Sequence, residues 1–432
     1  MWVIKKGSGD NMKTFFWQVY AFLYDIVQFL KPYKYLQKRI LEELKLIPHL
    51  DILDSGCGTG NSIKEIVSSK NLPYNIKIFG IDISSIMLGK ARRKLKKYKN
   101  VNFEEKRTED EAQNERSFDR IISSNSLYTT ENQIEVIQNW YKKLEDGGIL
   151  VLVNPFNPNP QKILVEHLQL IKKEKDWKAL LFFFLIYPLW FILMGINKRI
   201  AKAAKKGKTV HFIEPGKLEE TLKNAGFTIL NSEILYGDTC VLFSCQKNTG
   251  EKFGEGKEEI IIRRAQTPEE IIGTQKLRYQ VYCKEIESLN PNDYPDEIEI
   301  DWFDQYSYHF LAKDKCGIII GCTRLIPNTP KGFLLEEKFI LPKIYIHSRN
   351  KILEGSRIVT RIDKRRQKIG LQILDFVHLW SLENNFCWWI TFGQEALWNM
   401  IEKIGFHYDI WDEYIIYHKT KSAPGIIKLN KK

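Results

Sequence analysis

Between residues 51 and 153 short apolar runs and amphipathic stretches alternate along the chain. "LDILDSG", "IKIFGIDI", "VNFEEK", "FDRIISSN" and "GILVLVNP" have the composition of strands. "SSIMLGKARRKLKKY" and "IEVIQNWYKKLED", lying among them, space their apolar residues as helices do. This alternation leaves few solutions. A helix that joins two strands must cross back over the sheet, so neighbouring strands run parallel and helices cover both faces. Further on, "HFIEPGKLEETLKNAGFTILNSEILYGDTCVLFSCQK" adds a helix ending near Gly226 and two more strands, which close the domain near residue 247. The expectation is an α/β domain over 45–247 with a seven-stranded, mostly parallel sheet, preceded by a helical lead-in over 1–44.

One segment interrupts this pattern. "ALLFFFLIYPLWFILMGI", residues 179–196, has no charged side chain. It follows Lys172, Lys173, Lys175 and Lys178 and precedes Lys198, Arg199, Lys202, Lys205, Lys206 and Lys208. A bilayer span needs about 20 apolar residues, so the length is marginal. Its position weighs more. It falls between the fifth strand and the last two strands of one sheet, and a single crossing would put those strands on the wrong side for the sheet to close. With Pro188 in the middle, the segment is expected to form two short arms of a shallow hairpin at a membrane surface, touching lipid through Phe182, Phe183 and Trp190. Basic residues on both sides suit an anionic leaflet. A buried core helix, or a lid over a lipid-sized pocket, is the alternative.

"KNTGEKFGEGKEE" is rich in glycine and charge and has almost nothing to bury, so 248–259 reads as a linker. Residues 260–432 then begin a second mixed α/β pattern. It has a strand "EIIIRRA", a helix from about Pro268 to Ile286, an acidic loop, and strands "HFLAKD" and "GIIIGCTRLIP". A strand near "EGSRIVT" leads into a helix starting near Gly370.

In "LDILDSGCGTGNS" the residues Asp54, Gly56, Gly58 and Gly60 stand where a strand hands over to a helix. Glycines there let the backbone approach a ligand, and the helix start offers amide donors. Asp82 ends the next strand, 22 residues after Gly60, where a carboxylate can accept both hydroxyls of a ribose. Together these features favour a nucleoside-bearing cofactor. The residues resemble the class I S-adenosylmethionine-dependent methyltransferases, marked by an acidic residue followed by GxGxG, which implies a Rossmann-like fold. The resemblance, over about residues 45–247, implies that Asp54 and the glycine loop hold the methionine part of S-adenosylmethionine, and Asp82 the ribose. It puts Asn125, in the fourth-strand region, where the substrate approaches the methyl group. "KRTEDEAQNERSFD" stands in place of the family's adenine loop without an alignable residue. Methyl transfer needs chiefly in-line positioning, so no catalytic base is named here.

The C-terminal half sets Asp301 and Asp304 before a strand, Arg324 at the end of the next, and Glu354 and Arg357 around "GS" in another. Charged residues beside strand-forming runs are costly unless they pair or meet a ligand. Two carboxylates can orient or deprotonate an amine, and arginines can pair with them or hold an acceptor's carboxylate. An interdomain salt-bridge network is the other reading. The order of these blocks, with Arg278 in "RYQVY" first, resembles the acyl-homoserine-lactone synthases. It is closer still to their relatives in the GNAT superfamily, the long-chain N-acyl amino acid synthases and exosortase-associated acyltransferases. That resemblance implies that Arg278, Asp301, Asp304, Arg324, Glu354 and Arg357 form the family's charged set, with Phe339 walling the acyl chain. It departs from the lactone synthases in lacking their tryptophan after this block. Gln367 and Gly370 keep the GNAT pattern for cradling a pantetheine pyrophosphate, although Gln372 replaces a small residue. Lys364, Arg365, Arg366 and Lys368 suit a thioester donor on coenzyme A or an acyl carrier protein, or else a solvated helix face.

The net charge of +12 alone does not choose between nucleic acid, an anionic membrane and phosphate-bearing substrates. Its placement does. Basic residues gather beside the apolar segment and the proposed thioester site rather than along a helix interleaved with aromatics, so nucleic acid is not expected. Seven scattered cysteines without a CxxC pair, and histidines (His309, His347, His378, His407) without a partner motif, point to no metal site and to a reducing compartment. No secretion signal is read at the start, so the expected location is cytoplasmic, peripheral at the inner face of the membrane. The expected function is a bifunctional transferase. S-adenosylmethionine-dependent methylation is joined to transfer of a long-chain acyl group from a thioester to a small-molecule amine or lipid acceptor. A signal synthase of the lactone type, and a membrane-surface binding protein with an inactive methyltransferase domain, are the alternatives.

Overall fold

A computed structural model describes residues 25–430 apart from 111–115, 205–210, 248–250, 254–259, 404 and 418–419. The chain divides into two compact units, with the break between Asn248 and Thr249.

The first unit opens on a 3-10 turn, Asp25–Phe29, and helix α1, Lys31–Glu43, entered at Pro32 where a missing amide costs nothing. Strand β1 (Asp51–Ser55), helix α2 (Asn61–Val67), strand β2 (Lys77–Asp82), helix α3 (Ser85–Leu95), and strands β3 (Val101–Glu105) and β4 (Phe118–Ser124) follow. Then come helix α4 (Gln133–Lys143), strand β5 (Leu144–Pro155), helices α5 (Pro160–Glu174), α6 (Trp177–Ala204) and α7 (Pro215–Asn224), and strands β6 (Phe227–Leu235) and β7 (Cys240–Lys247). Side chains cap several helix starts: Ser84 accepts from the Met87 amide and Asn132 from that of Glu135. The sheet order is β3-β2-β1-β4-β5-β7-β6, parallel except for β7, which runs against both β5 and β6. This is the seven-stranded, mostly parallel sheet expected. Leu53, Ile121, Leu150, Leu152, Trp140 and Phe243 are among its fully buried core residues. The parallel order sets the ends of β1, β2 and β4 side by side, and so brings the glycine loop, Asp82 and Asn125 to one edge.

The apolar segment differs from expectation. It is one continuous helix, α6, and Pro188 lies inside it. A proline removes one backbone hydrogen bond, and Pro188 is on the exposed side, so the remaining bonds of the 28-residue helix carry it through. Phe183 and Trp190 are buried, together with Met194, on the face turned to the unit, so they do not meet lipid. The side chains of Phe182 and of the basic residues at 198–208 lie outside what is described. Among the described residues no helix is long and apolar enough to cross a membrane.

The second unit begins inside the expected linker. Strand β8 (Glu251–Phe253) pairs antiparallel with β9 (Ile260–Arg264), so that stretch is partly ordered on a sheet edge. Helix α8 (Pro268–Tyr279) continues into a π-helical turn, Gln280–Glu285. Strands β10 (Tyr308–Asp314), β11 (Ile319–Pro327) and β12 (Ile352–Thr360), helix α9 (Ile369–Glu383), strand β13 (Trp388–Gln394) and helix α10 (Glu395–Lys403) come next. Strands β14 (Tyr408–Ile410), β15 (Ile415–Tyr417) and β16 (Thr420–Lys428) complete the unit. The sheet runs β14-β16-β13-β12-β11-β10-β9-β8, with β15 also on β16. Its single parallel pair, β12 with β13, covers only Ile352–Glu354 against Trp388–Ile390. Register between the two strands ends at Glu354, where the charged residues begin.

Candidate functional site

The glycine loop is built for close approach. Gly56, Gly58 and Gly60 all have positive φ, at 79°, 54° and 74°. A Cβ on Gly56 would stand 2.3 Å from the Ser126 Cβ, so the loop is seated directly against the start of the segment after β4. The amides of Gly56 and Cys57 both donate to the Ile81 carbonyl at 2.9 Å, which ties the loop to the end of β2. Asp82 accepts from the Gly58 amide at 2.9 Å and the Ser84 amide at 2.8 Å, which fixes its carboxylate and leaves other lone pairs to accept hydroxyls.

Asp54 is buried in the strand end beneath the loop. Burial, and then the Asp82 charge, push its carboxyl up to about 8. Burial raises Asp82 as well. Two neighbouring buried carboxyls are unfavourable when ionised, and a positive group placed between them relieves that cost. The amino group and sulfonium of S-adenosylmethionine supply that charge, so these residues fit the cofactor: Asp54 and the glycine loop at its methionine end, Asp82 at its ribose. Asn125 adopts a left-handed φ of 55°, which asparagine tolerates, and accepts a weak bond from the Cys240 thiol at 3.6 Å. It stands at the end of β4 beside this edge.

Sequence reasoning missed a polar group under the loop. Lys94 of α3 donates to Asn61 Oδ1 at 2.6 Å, Asp25 Oδ1 at 3.1 Å and Thr59 Oγ1 at 3.2 Å, while Asn61 donates to the Tyr33 hydroxyl at 3.3 Å. These bonds lash the glycine loop to the lead-in. The polar run "GTGNS" after the last glycines was the available signal. Part of the adenine-side segment, residues 111–115, lies outside the described residues.

In the second unit the charged residues form one network. Arg278, on α8, donates through both Nη atoms to Asp304, at 2.6 and 3.0 Å, and through Nε to Glu299. Arg324, on β11, grips Asp301 with two bonds of 2.7 and 2.5 Å, lies 3.1 Å from Asp304, and reaches Ser356 Oγ at 2.9 Å. Arg357, on β12, donates to Glu299 Oε1 at 3.1 and 3.2 Å and to Asp301 at 3.4 Å. Three arginines thus face three carboxylates. Burial alone would raise Asp304, but the Arg324 and Arg278 charges hold it well below the usual carboxylate range. Glu299, fully buried and bonded to two of the arginines, belongs to the same set, although sequence reasoning named only Asp301 and Asp304 in this acidic stretch. His309 is buried, with its ring 3.0 Å from the Asp304 carbonyl, and burial lowers it to about 4, so it is neutral.

Only part of this set meets open space. A cavity of about 670 Å³ is lined by Glu354, Ser356 and Arg357, by Glu337 and Lys338, and by apolar residues such as Phe339 and Trp389. Arg278, Arg324 and Asp304 are fully enclosed by their partners; they position, and Glu354 and Arg357 face the cavity. Glu354 accepts from the Leu335 amide at 3.2 Å, and burial pushes its carboxyl up to about 8 despite that bond and the nearby arginines. Arg357 holds a left-handed φ of 58°, a conformation that costs a side-chain-bearing residue about 1–2 kcal/mol and is retained where the surroundings fix it. Phe339, expected as an acyl wall, lines the same cavity.

Gln367 is exposed at the end of a 3-10 turn, and Gly370 sits in the first turn of α9 after Lys368 at a φ of 59°. A Cβ on Gly370 would meet nothing nearer than Thr360 Oγ1 at 3.8 Å, so the protein's own packing does not demand glycine there. Arg365 pairs with Glu285, and the side chain of Arg366 is not described. The Leu371 and Gln372 amides at this helix start both donate to the Lys368 carbonyl, at 3.0 and 3.1 Å.

Comparison with known proteins agrees with this division. Residues 47–226 match the family described as a methyltransferase domain, and residues 277–374 match that of an acetyltransferase (GNAT) domain. A hybrid PKS-NRPS synthetase of Trichoderma harzianum is 31% identical over 188 residues, covering 42% of this chain. A non-reducing polyketide synthase of Stereocaulon alpinum is 28% identical over 118 residues, covering 27% of it. The matched stretches span only 4% and 5% of those two relatives. Among solved structures, the AHL synthase LasI aligns at 20% identity with a TM-score of 0.33, over 40% of this chain and 91% of its own. The N-methyltransferase NodS of Bradyrhizobium japonicum WM9, in complex with S-adenosyl-l-homocysteine, aligns at 14% and 0.35, over 53% and 98%. The two family matches therefore set a methyltransferase domain and an acetyltransferase (GNAT) domain in series along the chain.

Proposed function

We propose that the second domain transfers a long-chain acyl group from a thioester, on coenzyme A or an acyl carrier protein, to an amine such as that of an amino acid. The first domain would then methylate that product or a related lipid. The observation that carries this reading is that Glu354 and Arg357 line one cavity together, with Glu337 and Lys338 also on its border and apolar side chains over most of the rest. Its volume of about 670 Å³ lies within the usual range for small-molecule sites of about 300–1,000 Å³. An acyl chain suits the apolar walls, and an amine with a nearby carboxylate suits Glu354 and Arg357.

The chemistry follows from the two side chains. The acceptor amine must lose a proton as it bonds to the thioester carbonyl and the thiolate leaves. Glu354, with its carboxyl near 8, is matched to take that proton close to neutral pH. Arg357 offers the acceptor's carboxylate its Nη1, while Glu299 and Asp301 hold the guanidinium in place through Nε and Nη2. The turn at Gly370, with Lys364 and Lys368 beside it, supports a donor that carries phosphate. In the first domain, S-adenosylmethionine supplies an electrophilic methyl group. Asp54, Asp82 and the glycine loop fix its position, and Asn125 orients the acceptor.

The full chain should be incubated with labelled acyl-coenzyme A or acyl carrier protein, labelled S-adenosylmethionine and a panel of amino acids, and the products resolved by mass. An acylated amine that vanishes in Glu354→Gln supports the acyltransferase. Unchanged product in that variant removes it. A methylated product lost in Asp82→Ala supports the first domain's part; absence of S-adenosylmethionine binding removes it.

A further inference from the structure

Helix α6 is apolar around most of its circumference, and among its described side chains one side is packed and the other exposed. Phe183, Trp190 and Met194, at positions i, i+7 and i+11, are buried against its own unit, where Phe183 meets the ring of His167 at 4.9 Å. The opposite side presents Leu181, Phe184, Leu185, Phe191 and Ile192, each more than half exposed. Their spacing of three, four, ten and eleven residues from Leu181 puts them on one stripe. Five large apolar side chains on about three turns form a contiguous patch, which soluble proteins rarely leave in water.

The surroundings indicate what covers the patch. Lys172, Lys173, Lys175 and Lys178, at and just before the start of α6, are all exposed; Glu174 and Asp176 among them are both paired with Lys31, and no acidic residue occurs between Lys178 and Ala204. Trp177, at the first position of the helix, is about three-quarters exposed. An apolar stripe with an aromatic residue at its edge and lysines at its end is complementary to an anionic lipid surface: acyl chains take the stripe and headgroups take the lysines. A helix lying in the interface plane needs no bilayer-spanning length. We propose that α6 docks the chain on anionic membranes through Leu181, Phe184, Leu185, Phe191 and Ile192, with the lysines at 172–178 reading the headgroups. This assignment is independent of the chemistry of either domain.

Flotation of the full chain with vesicles tests it, using phosphatidylcholine alone against a roughly 70:30 mixture of phosphatidylcholine and phosphatidylglycerol. The wild type should float at least tenfold more with the anionic vesicles. The triple variant Leu181→Gln, Phe184→Gln, Leu185→Gln should lose at least tenfold of that binding while still binding S-adenosylhomocysteine as the wild type does. Replacing the four lysines by glutamine should remove the preference for anionic lipid. If the triple variant fails to fold, Leu185→Glu alone, on a highly exposed position, should still lower flotation several-fold. Failure of the wild type to float, or equal flotation of the Leu185→Glu variant, overturns the proposal. A wild-type dimer that the triple variant converts to monomer without lipid also overturns it, because the stripe would then be a seam between two copies.

Discussion

The carboxyl of Asp54, at the end of β1, is buried beside Asp82 at the end of the neighbouring β2, and burial together with the Asp82 charge raises it to about 8. Two acids so placed resist ionising until a cation joins them. The relation makes cofactor binding a proton-linked event with a definite sign.

A cationic ligand binds best to ionised Asp54, so affinity for S-adenosylmethionine should rise with pH up to about 8 and level off above it. The steepest change for one proton is about tenfold per pH unit. Calorimetric titration from pH 6 to 9 measures it, with Asp54→Asn as control. The variant should bind weakly and show a flatter profile. A profile for the wild type that is flat across this range would contradict the linkage.

Glu354 must be ionised to accept a proton from the amine. With its carboxyl raised to about 8, acyl transfer should increase as pH rises from 6.5 and reach a plateau above about 8.5. Glu354→Gln should lower kcat by about 10²–10⁴ and abolish that limb, the range expected for loss of a general base. Stopped assays of thioester consumption over this pH range would show both effects.

Arg278 is enclosed by Glu299 and Asp304, with no solvent to replace it. Arg278→Met leaves two buried carboxylates short of a cation and should cost about 3–5 kcal/mol of stability. The low-lying Asp304 adds a pH signature. A carboxylate held below its unfolded value contributes stability that is present above about pH 4 and disappears in acid. Denaturant unfolding at pH 7 and pH 3 should therefore show a large wild-type difference and a smaller one in the variant.

The glycine loop separates two kinds of constraint. Gly58 has positive φ but open space where a Cβ would stand, so Gly58→Ala should cost only about 1–2 kcal/mol. Gly56→Ala carries the same conformational cost, and its Cβ would also collide with Ser126. It should destabilise the first unit clearly more and lose S-adenosylhomocysteine binding. Thermal melts with and without S-adenosylhomocysteine compare the two; equal shifts would contradict the contact with Ser126.

Local pattern explains what could be read early. The strands of the first sheet announce themselves by β-branched apolar runs, the glycine loop by residues that only positive φ requires, and Asp82 by its place at a strand end. These are properties of a few neighbouring residues, so the fold of the first unit and half of its site were legible. The second unit was less so. Strands β13 to β16, with Trp388 and Trp389 beside helix-like runs, carry no clear period and become a sheet only by pairing with one another and with β12.

The sequence by itself determined the two domain patterns, the glycine loop and the apolar character of 179–196, because each depends on composition and spacing along the chain. Tertiary structure decided which charged side chains are enclosed by one another and which also reach the cavity. Arg278, Arg324 and Asp304 close into a buried network, while Glu354 and Arg357, three residues apart on β12, face the cavity. It also decided that α6 runs on through Pro188 and turns Phe183 and Trp190 inward and Phe184 and Leu185 outward. Spacing defines a helix face, but only the packing of other elements against it determines whether that face is buried or left to water.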